Sequence, residues 1–422
     1  MVAIGVVCAA AAGPAGAAVP ARAAGASAEG LAEVQADFSH ELALAGPQSS
    51  AYVYDLTAKA ALVSERATAL HRPASVEKLY TATTALEELG FEARLQTTVL
   101  GAGRLLADGT WEGSLYLRGG GDPTFGSSSF IHSHYGGDGA SVNVLAAQIA
   151  RADHIRRVTG SIYGDESLFD SLRGEPSSGY APDPFLEGSL SALSFDRGIT
   201  GSLRGAHAQA AYAARRLRAS LRADGVGVAG GAGAATTPAG AAELARVQSP
   251  PLSQLLALTL PPSDNFFAET LLKDLGARIA HAGTTAAGAR IVRSTVAALA
   301  RIHPHVVDGS GLSNSDLTST YEVVELLAAL APTPVGTSLS DDLAVAGRTG
   351  TLERRMRHTA AAGRCRAKTG TLTGASNLAG YCTSANGHLL AFAIFNDAIS
   401  VAFARTIQDH LAITLARSSI EI

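Results

Sequence analysis

The sequence predicts an α+β protein: one antiparallel sheet flanked by helices, assembled from both ends of the chain, with a large region inserted between them. Three observations lead there. A helix and a hairpin open the chain after residue 28, and three strands and a helix close it after residue 364. Between residues 94 and 246 the texture changes to strand alternation, glycine-rich loops and short helices. Segments 28–93 and 247–422 are therefore expected to form one domain, and 94–246 the inserted part.

Within 28–45, Leu31, Val34, Phe38 and Leu42 recur at helical spacing. "AYVYD" at 51–55 and "AALVS" at 60–64 read as the two arms of a hairpin. Residues 71–90 predict a helix, with Pro73 near its start, apolar Val76, Leu79, Leu86 and Leu89, and Gly90 as its stop. The next stretch alternates as strands around the turn signal Asp108-Gly109. A helix within 143–152, a strand within 156–165, Gly- and Ser-rich loops over 171–190 and a helix over 207–223 follow. Residues 225–243, "GVGVAGGAGAATTPAGAAE", are low in complexity and read as a loop or linker. Two helices are then separated by Pro261-Pro262-Ser263-Asp264-Asn265, and others are expected at 284–301 and 320–331. Strands at 364–371, 376–383 and 387–395 precede a helix over 400–416.

With 47% apolar and 17% charged residues, the 422-residue chain has the composition of a globular protein. A net charge of −4 offers no basic field for nucleic acid, which is excluded as the main partner. Residues 2–13, "VAIGVVCAAAAG", resemble the apolar part of a secretion signal, with cleavage options near Ala17 or Ala23, although no Lys or Arg precedes the run. Residues 1–27 are therefore expected to be a signal peptide and tail, and the mature chain to be exported to a periplasmic or extracellular compartment facing the cell wall. Export would leave two cysteines, Cys365 and Cys382, on the arms of one predicted hairpin. A cross-strand disulfide and two buried thiols are both open readings. His132 with His134 and His303 with His305 lack a neighbouring Cys or carboxylate pattern. They read as surface or structural residues, not metal ligands.

Three short motifs carry chemistry. Ser75 and Lys78 lie three apart on a helix, hence on one face. A serine hydroxyl needs a base within hydrogen-bond reach, and a lysine kept neutral by burial can serve. Ser263 and Asn265 offer a second hydroxyl to relay a proton and an amide to hold a carbonyl. Lys368-Thr369-Gly370 lies on a strand; Lys with Thr suits a carboxylate, and Gly permits close approach to the backbone. Alone, these would read as a surface lysine, a helix cap and an edge-strand lysine. Yet Lys-Thr-Gly is expected by chance only about 0.03 times in such a chain.

Together and in this order the motifs resemble S-x-x-K, S-x-N and K-T-G of the penicillin-recognising serine acyltransferases. The long stretch from Ser75 to Ser263 is unlike class A β-lactamases. Their E-x-x-x-N loop has no match here: the nearest segment, Glu166 to Asp170, ends in Asp. "RPASVEKLYTATTAL", "LSALSFDRG", "SDNFFAETLL", "DGSGLSNSDLTS" and "RAKTGTLTGASNLAGY" resemble instead the D-alanyl-D-alanine carboxypeptidase/endopeptidases, the low-molecular-weight class C penicillin-binding proteins of peptidase family S13. Asn314 and Thr349 depart from that family's usual Arg and Asp, outside the three motifs.

The resemblance implies the penicillin-recognising serine transferase fold and acyl transfer on peptidoglycan stem peptides ending in D-Ala-D-Ala, without metal or cofactor. It implies Ser75 as nucleophile, Lys78 as its base and Ser263 as proton relay to the leaving D-Ala. Asn265 would position the peptide, Lys368 and Thr369 would bind the terminal carboxylate, and the N–H groups of Ser75 and Thr371 would form the oxyanion hole. Gly370 would let substrate lie along the strand. β-Lactams would acylate Ser75. The alternatives are a β-lactamase or esterase on the same fold, and a non-catalytic wall-binding protein.

Overall fold

The computed structural model describes residues 30–151, 154–199, 205 and 207–420. The expected signal segment and Cys8 lie outside them.

One sheet has six strands in the order Ala344–Val345, Cys365–Leu372, Ala375–Thr383, Leu389–Asp397, Ser49–Asp55, Ala60–Glu65. Every pairing is antiparallel, and the two ends of the chain meet where Ser49–Asp55 runs beside Leu389–Asp397, with Val53 opposite Phe392. The three central strands, Ser49–Asp55, Ala375–Thr383 and Leu389–Asp397, are buried along almost their whole length because both faces are covered. Alternate side chains enter different cores, as the two-residue period of a strand requires. Leu390, Phe392 and Ile394 pack with Val34, Phe38, Leu411 and Leu415 from helices Leu31–Ala45 and Val401–Arg417. Ala391, Ala393 and Phe395 face a second core with Leu79, Phe267, Leu271 and Val323 from helices Lys78–Leu89, Asn265–Ile279 and Thr320–Leu330.

The second sheet is built between Gln96 and Gln248. Gln96–Leu105 pairs on one side with Thr110–Arg118 and on the other with Ala242–Gln248. Short parallel strands, Arg157–Val158 and Ile162–Asp165, extend it along Thr110–Arg118. Helices Val142–Arg151 and Ala208–Ala223 cover it with Leu145, Ile149, Leu217 and Leu221, forming a third core.

Several expectations are corrected. The low-complexity stretch 225–243 is not simply a linker. It supplies the strands Gly227–Val228 and Ala232–Ala234 and the start of Ala242–Gln248. Val226 and Val228 reach the third core, but the glycines and alanines around them carry no apolar alternation to announce the strands. The strand expected within 156–165 is two strands. Helices Ser128–Tyr135 and Pro334–Asp341 escaped the periodicity reading; the latter is started by Pro334 after the cap Thr333, whose hydroxyl accepts from Gly336 N–H. The helix expected from residue 71 begins as a 3₁₀ turn, Ala74–Glu77, and becomes α-helical only at Lys78. Both His pairs are exposed.

Cys365 and Cys382 stand directly opposite in the register and are joined by a disulfide. The bridge ties the strand carrying Lys368 to its neighbour. With a sequence separation of 17, loop closure sets an upper bound of about 3 kcal/mol on its contribution. Replacing both cysteines by alanine should lower stability in urea unfolding by a measurable part of that bound. A loss under about 0.5 kcal/mol would mean that the surrounding ladder already supplies the constraint.

Candidate active site

Ser75 sits in the 3₁₀ turn at the head of a buried helix. Ala74 before it adopts φ +48°, a left-handed conformation that a non-glycine residue holds only when its surroundings impose it. The surroundings are visible. Asn377 Nδ2 donates to the carbonyls of Arg72 and Pro73 at 2.7 and 2.9 Å. A Cβ on Gly370 would lie 2.5 Å from Pro73 O and 3.2 Å from Ala74 Cβ. A side chain at 370 would collide with this backbone, so Gly370 lets its strand seat against the Ser75 turn.

Lys78, the first α-helical residue, is 1% exposed. Its Nζ donates to Ser75 Oγ at 3.0 Å, Asn265 Oδ1 at 2.6 Å and Ser310 O at 2.7 Å. Burial lowers its pKa to about 8, against the opposing pull of Asp308, Glu269, Asp264 and Glu77. An amine so placed carries a lone pair for a useful fraction of the time near neutral pH.

Ser263 follows Pro261-Pro262 with φ +68°. Lys368 Nζ donates to its Oγ at 2.7 Å and to Thr369 O at 3.0 Å. Burial first, and then repulsion from Lys78, hold the Lys368 amine well below the ordinary lysine range. Asp264 caps helix Asn265–Ile279 by accepting from Phe267 N–H. Asn265 is committed on both sides of its amide: Oδ1 to Lys78, and Nδ2 to Phe185 O at 2.7 Å. Thr369 Oγ1 lies 2.8 Å from Thr351 Oγ1. Ser75, Asn265 and Thr371 open onto one cleft of about 560 Å³, walled also by Glu175, Phe185 and Leu312.

Six of the residues singled out by sequence thus meet by direct contact as Ser75–Lys78–Asn265 and Ser263–Lys368–Thr369, and Thr371 lines their cleft. Glu166 and Asp170 do not join them. Glu166 is held by Arg173, His207 and Ser191, and Asp170 by Lys273, beside a separate pocket. Asn314 Oδ1 accepts from Arg72 at 3.1 Å, and Thr349 Oγ1 accepts from Val345 N–H.

Sequence reasoning assigned no role to Arg197, Glu269, Asp308, Thr351 or Asn377. Arg197 grips Asp264 through both guanidinium nitrogens, at 2.5 and 3.0 Å, and stacks over Phe266 with Cζ 4.9 Å from the ring centroid. The segments "LSFDRG" and "DGSGLSNSD" contain the first and third of these residues, but no short spacing rule marks either.

The family model of the D-Ala-D-Ala carboxypeptidase 3 (S13) family matches residues 31–183 and 185–418. The chain is 31% identical to a D-alanyl-D-alanine carboxypeptidase of Actinomadura sp. (strain R39), over 89% of this chain and 82% of the relative. It is 32% identical to a carboxypeptidase of Mycobacterium tuberculosis, over 77% and 71% of the two chains. Its fold is similar to that of penicillin binding protein 4 from Haemophilus influenzae, with TM-score 0.74 at 20% identity over 88% of this chain and 99% of the other. A penicillin G acylated predatory endopeptidase from Bdellovibrio bacteriovorus gives TM-score 0.52 at 16% identity over 86% and 90%.

If Lys78 is the base for Ser75, only its neutral form can act, and acylation should then speed up as pH rises. Below about 8 the rate should fall about tenfold per pH unit. A profile flat from pH 6 to 9 in stopped-flow acylation would assign the proton to another base. Arg197 and Asp264 have side chains only 7% and 12% exposed, so Arg197→Met leaves a carboxylate without its partner. The expected cost is about 3 kcal/mol in the denaturant midpoint. A loss below about 1 kcal/mol would show that the pair is not what holds the inserted part onto the Ser263 turn.

Proposed function

The chain belongs to the D-Ala-D-Ala carboxypeptidase 3 (S13) family and is a serine D-Ala-D-Ala carboxypeptidase, and from that premise we propose how its residues act on peptidoglycan stem peptides. The observation that carries the proposal is the 3.0 Å contact between Lys78 Nζ and Ser75 Oγ, made inside a protein interior whose burial lowers the amine's pKa to about 8.

Ser75 Oγ attacks the carbonyl carbon of the penultimate D-Ala while its proton passes to Lys78 Nζ. The N–H groups of Ser75 and Thr371 receive the developing oxyanion. When the C–N bond breaks, Ser263 delivers a proton to the departing amine of the terminal D-Ala. Lys368 sits 2.7 Å from that hydroxyl, so its charge state governs the relay. The terminal carboxylate binds beside Lys368 and Thr369. An arriving anion there restores the charge that burial has made costly for Lys368. Asn265 holds Lys78 and the Phe185 loop in register, with one amide hydrogen left for the peptide. Water then hydrolyses the acyl-serine and regenerates the hydroxyl.

Cleavage of a cross-linked rather than a free D-Ala uses the same machinery, so endopeptidase action belongs to the same proposal. The mature chain works in an exported, wall-facing compartment. The apolar stretch at 2–13 and the Cys365–Cys382 bridge support this reading, because disulfides persist where the environment is oxidising. β-Lactams mimic the dipeptide and acylate Ser75.

Intact mass spectrometry during incubation with benzylpenicillin tests the assignment. The expected outcome is a single lasting adduct that is absent in Ser75→Ala. Rapid drug loss without an adduct would instead indicate a β-lactamase, and neither drug loss nor adduct would indicate a non-catalytic wall protein.

A further inference from the structure

Lys78 has three partners, and only one of them carries a hydrogen of its own. Asn265 Oδ1 and Ser310 O can only accept, whereas Ser75 Oγ can donate. If the first two keep the two hydrogens of a neutral amine, the lone pair faces Ser75. The direction of the base therefore depends on where those two oxygens stand.

Both are set by one helix. Asn265 begins helix Asn265–Ile279, and Glu269 lies four residues later on the same face. Glu269 is fully buried, and its Oε1 accepts the N–H groups of Gly309 and Ser310 at 2.9 and 2.8 Å. Asp308, inside the loop, accepts from Ser310, Gly311 and Ser313 N–H. Asp308 thus gives the loop its internal shape, while Glu269 places that shape relative to Asn265. From the opposite side Thr81, on the Lys78 helix, donates to Gly309 O at 3.0 Å.

We propose that Glu269 is a positioning residue for acylation. By holding the Gly309 and Ser310 N–H groups it presents the Ser310 carbonyl to Lys78, and so aims the amine at Ser75 Oγ. The proposal rests on the acyl-serine reading above and adds a residue that touches neither substrate nor nucleophile. What matters in it is the position of an acceptor oxygen rather than the presence of a charge, and two substitutions separate these. Glu269→Gln keeps an oxygen at the same reach and removes the titratable carboxyl group. Glu269→Asp keeps the carboxyl group and withdraws it by one methylene.

The test is the rate of acylation by benzylpenicillin at saturation, together with the affinity of the complex that precedes the covalent step. Glu269→Gln should acylate within about fivefold of the unaltered enzyme, and Glu269→Asp at least about fiftyfold more slowly. In both, the pre-covalent affinity should stay within about twofold, since a misdirected base does not alter initial binding. Equal rates in the Asp variant, a Gln variant as slow as the Asp one, or a loss confined to affinity would each overturn the proposal. Should Glu269→Asp not fold, Thr81→Val releases the same peptide from the other side. It should slow acylation about tenfold at unchanged affinity, and an unchanged rate would overturn the proposal. If the unaltered enzyme is not acylated, the acyl-serine reading itself fails. If it is acylated and the variants break this order, only the role of Glu269 fails.

Discussion

Burying a lysine amine strips it of water, and the loss is tolerable only where hydrogen-bond acceptors replace the solvent. Lys78 meets that demand with one oxygen from its own turn, one from helix Asn265–Ile279 and one from the 308–316 loop. Those three pieces must converge for the amine to be buried at all, so the constraint that places the base also assembles the site. Carboxyl groups crowd the same space. Glu77, Glu269 and Asp308 are fully buried, and desolvation pushes each above the usual carboxyl range. Glu77 has no hydrogen-bond partner for either oxygen among the described residues, which favours its neutral form. The negative charge near Lys78 is therefore smaller than a count of acidic residues suggests, and burial prevails in setting its pKa.

The region between Gln96 and Gln248 is more than an appendage to this arrangement. Arg197 clamps Asp264, the residue between Ser263 and Asn265, and Phe185 O takes the amide hydrogen of Asn265. A segment with its own sheet and its own core thereby reaches into the catalytic centre and forms one wall of the cleft. The second lysine, Lys368, completes the electrostatics. Burial first, and then repulsion from the Lys78 amine, hold it below the ordinary lysine range. An anionic substrate end is the natural counter-charge for it.

Much of this was legible in the chain. The runs at 51–55 and 387–395 announce strands. The three motifs carry Ser, Lys and Asn in types and spacings that suit acyl transfer. Lys-Thr-Gly stands out in a chain with few lysines. Strands rich in glycine and alanine at 227–234 were not legible, because those residues carry no apolar alternation. Glu269 looked like any helical glutamate, and Arg197 like any loop arginine. Each acquires meaning only through a partner dozens of residues away.

Chain order alone marked most of the long helices and strands, the family the chain resembles, and the candidate residues for acyl transfer. These follow from local periodicity and from short spacings along the backbone. Tertiary structure decided the rest: the lowered pKa of Lys78, the three oxygens around its amine, the glycine at 370 pressed against the Pro73–Ala74 backbone, and the grip of Arg197 on Asp264. The physical reason is that desolvation, charge–charge coupling and steric fit depend on distance in space, and contacts such as Lys78–Asn265 join positions that chain order keeps far apart.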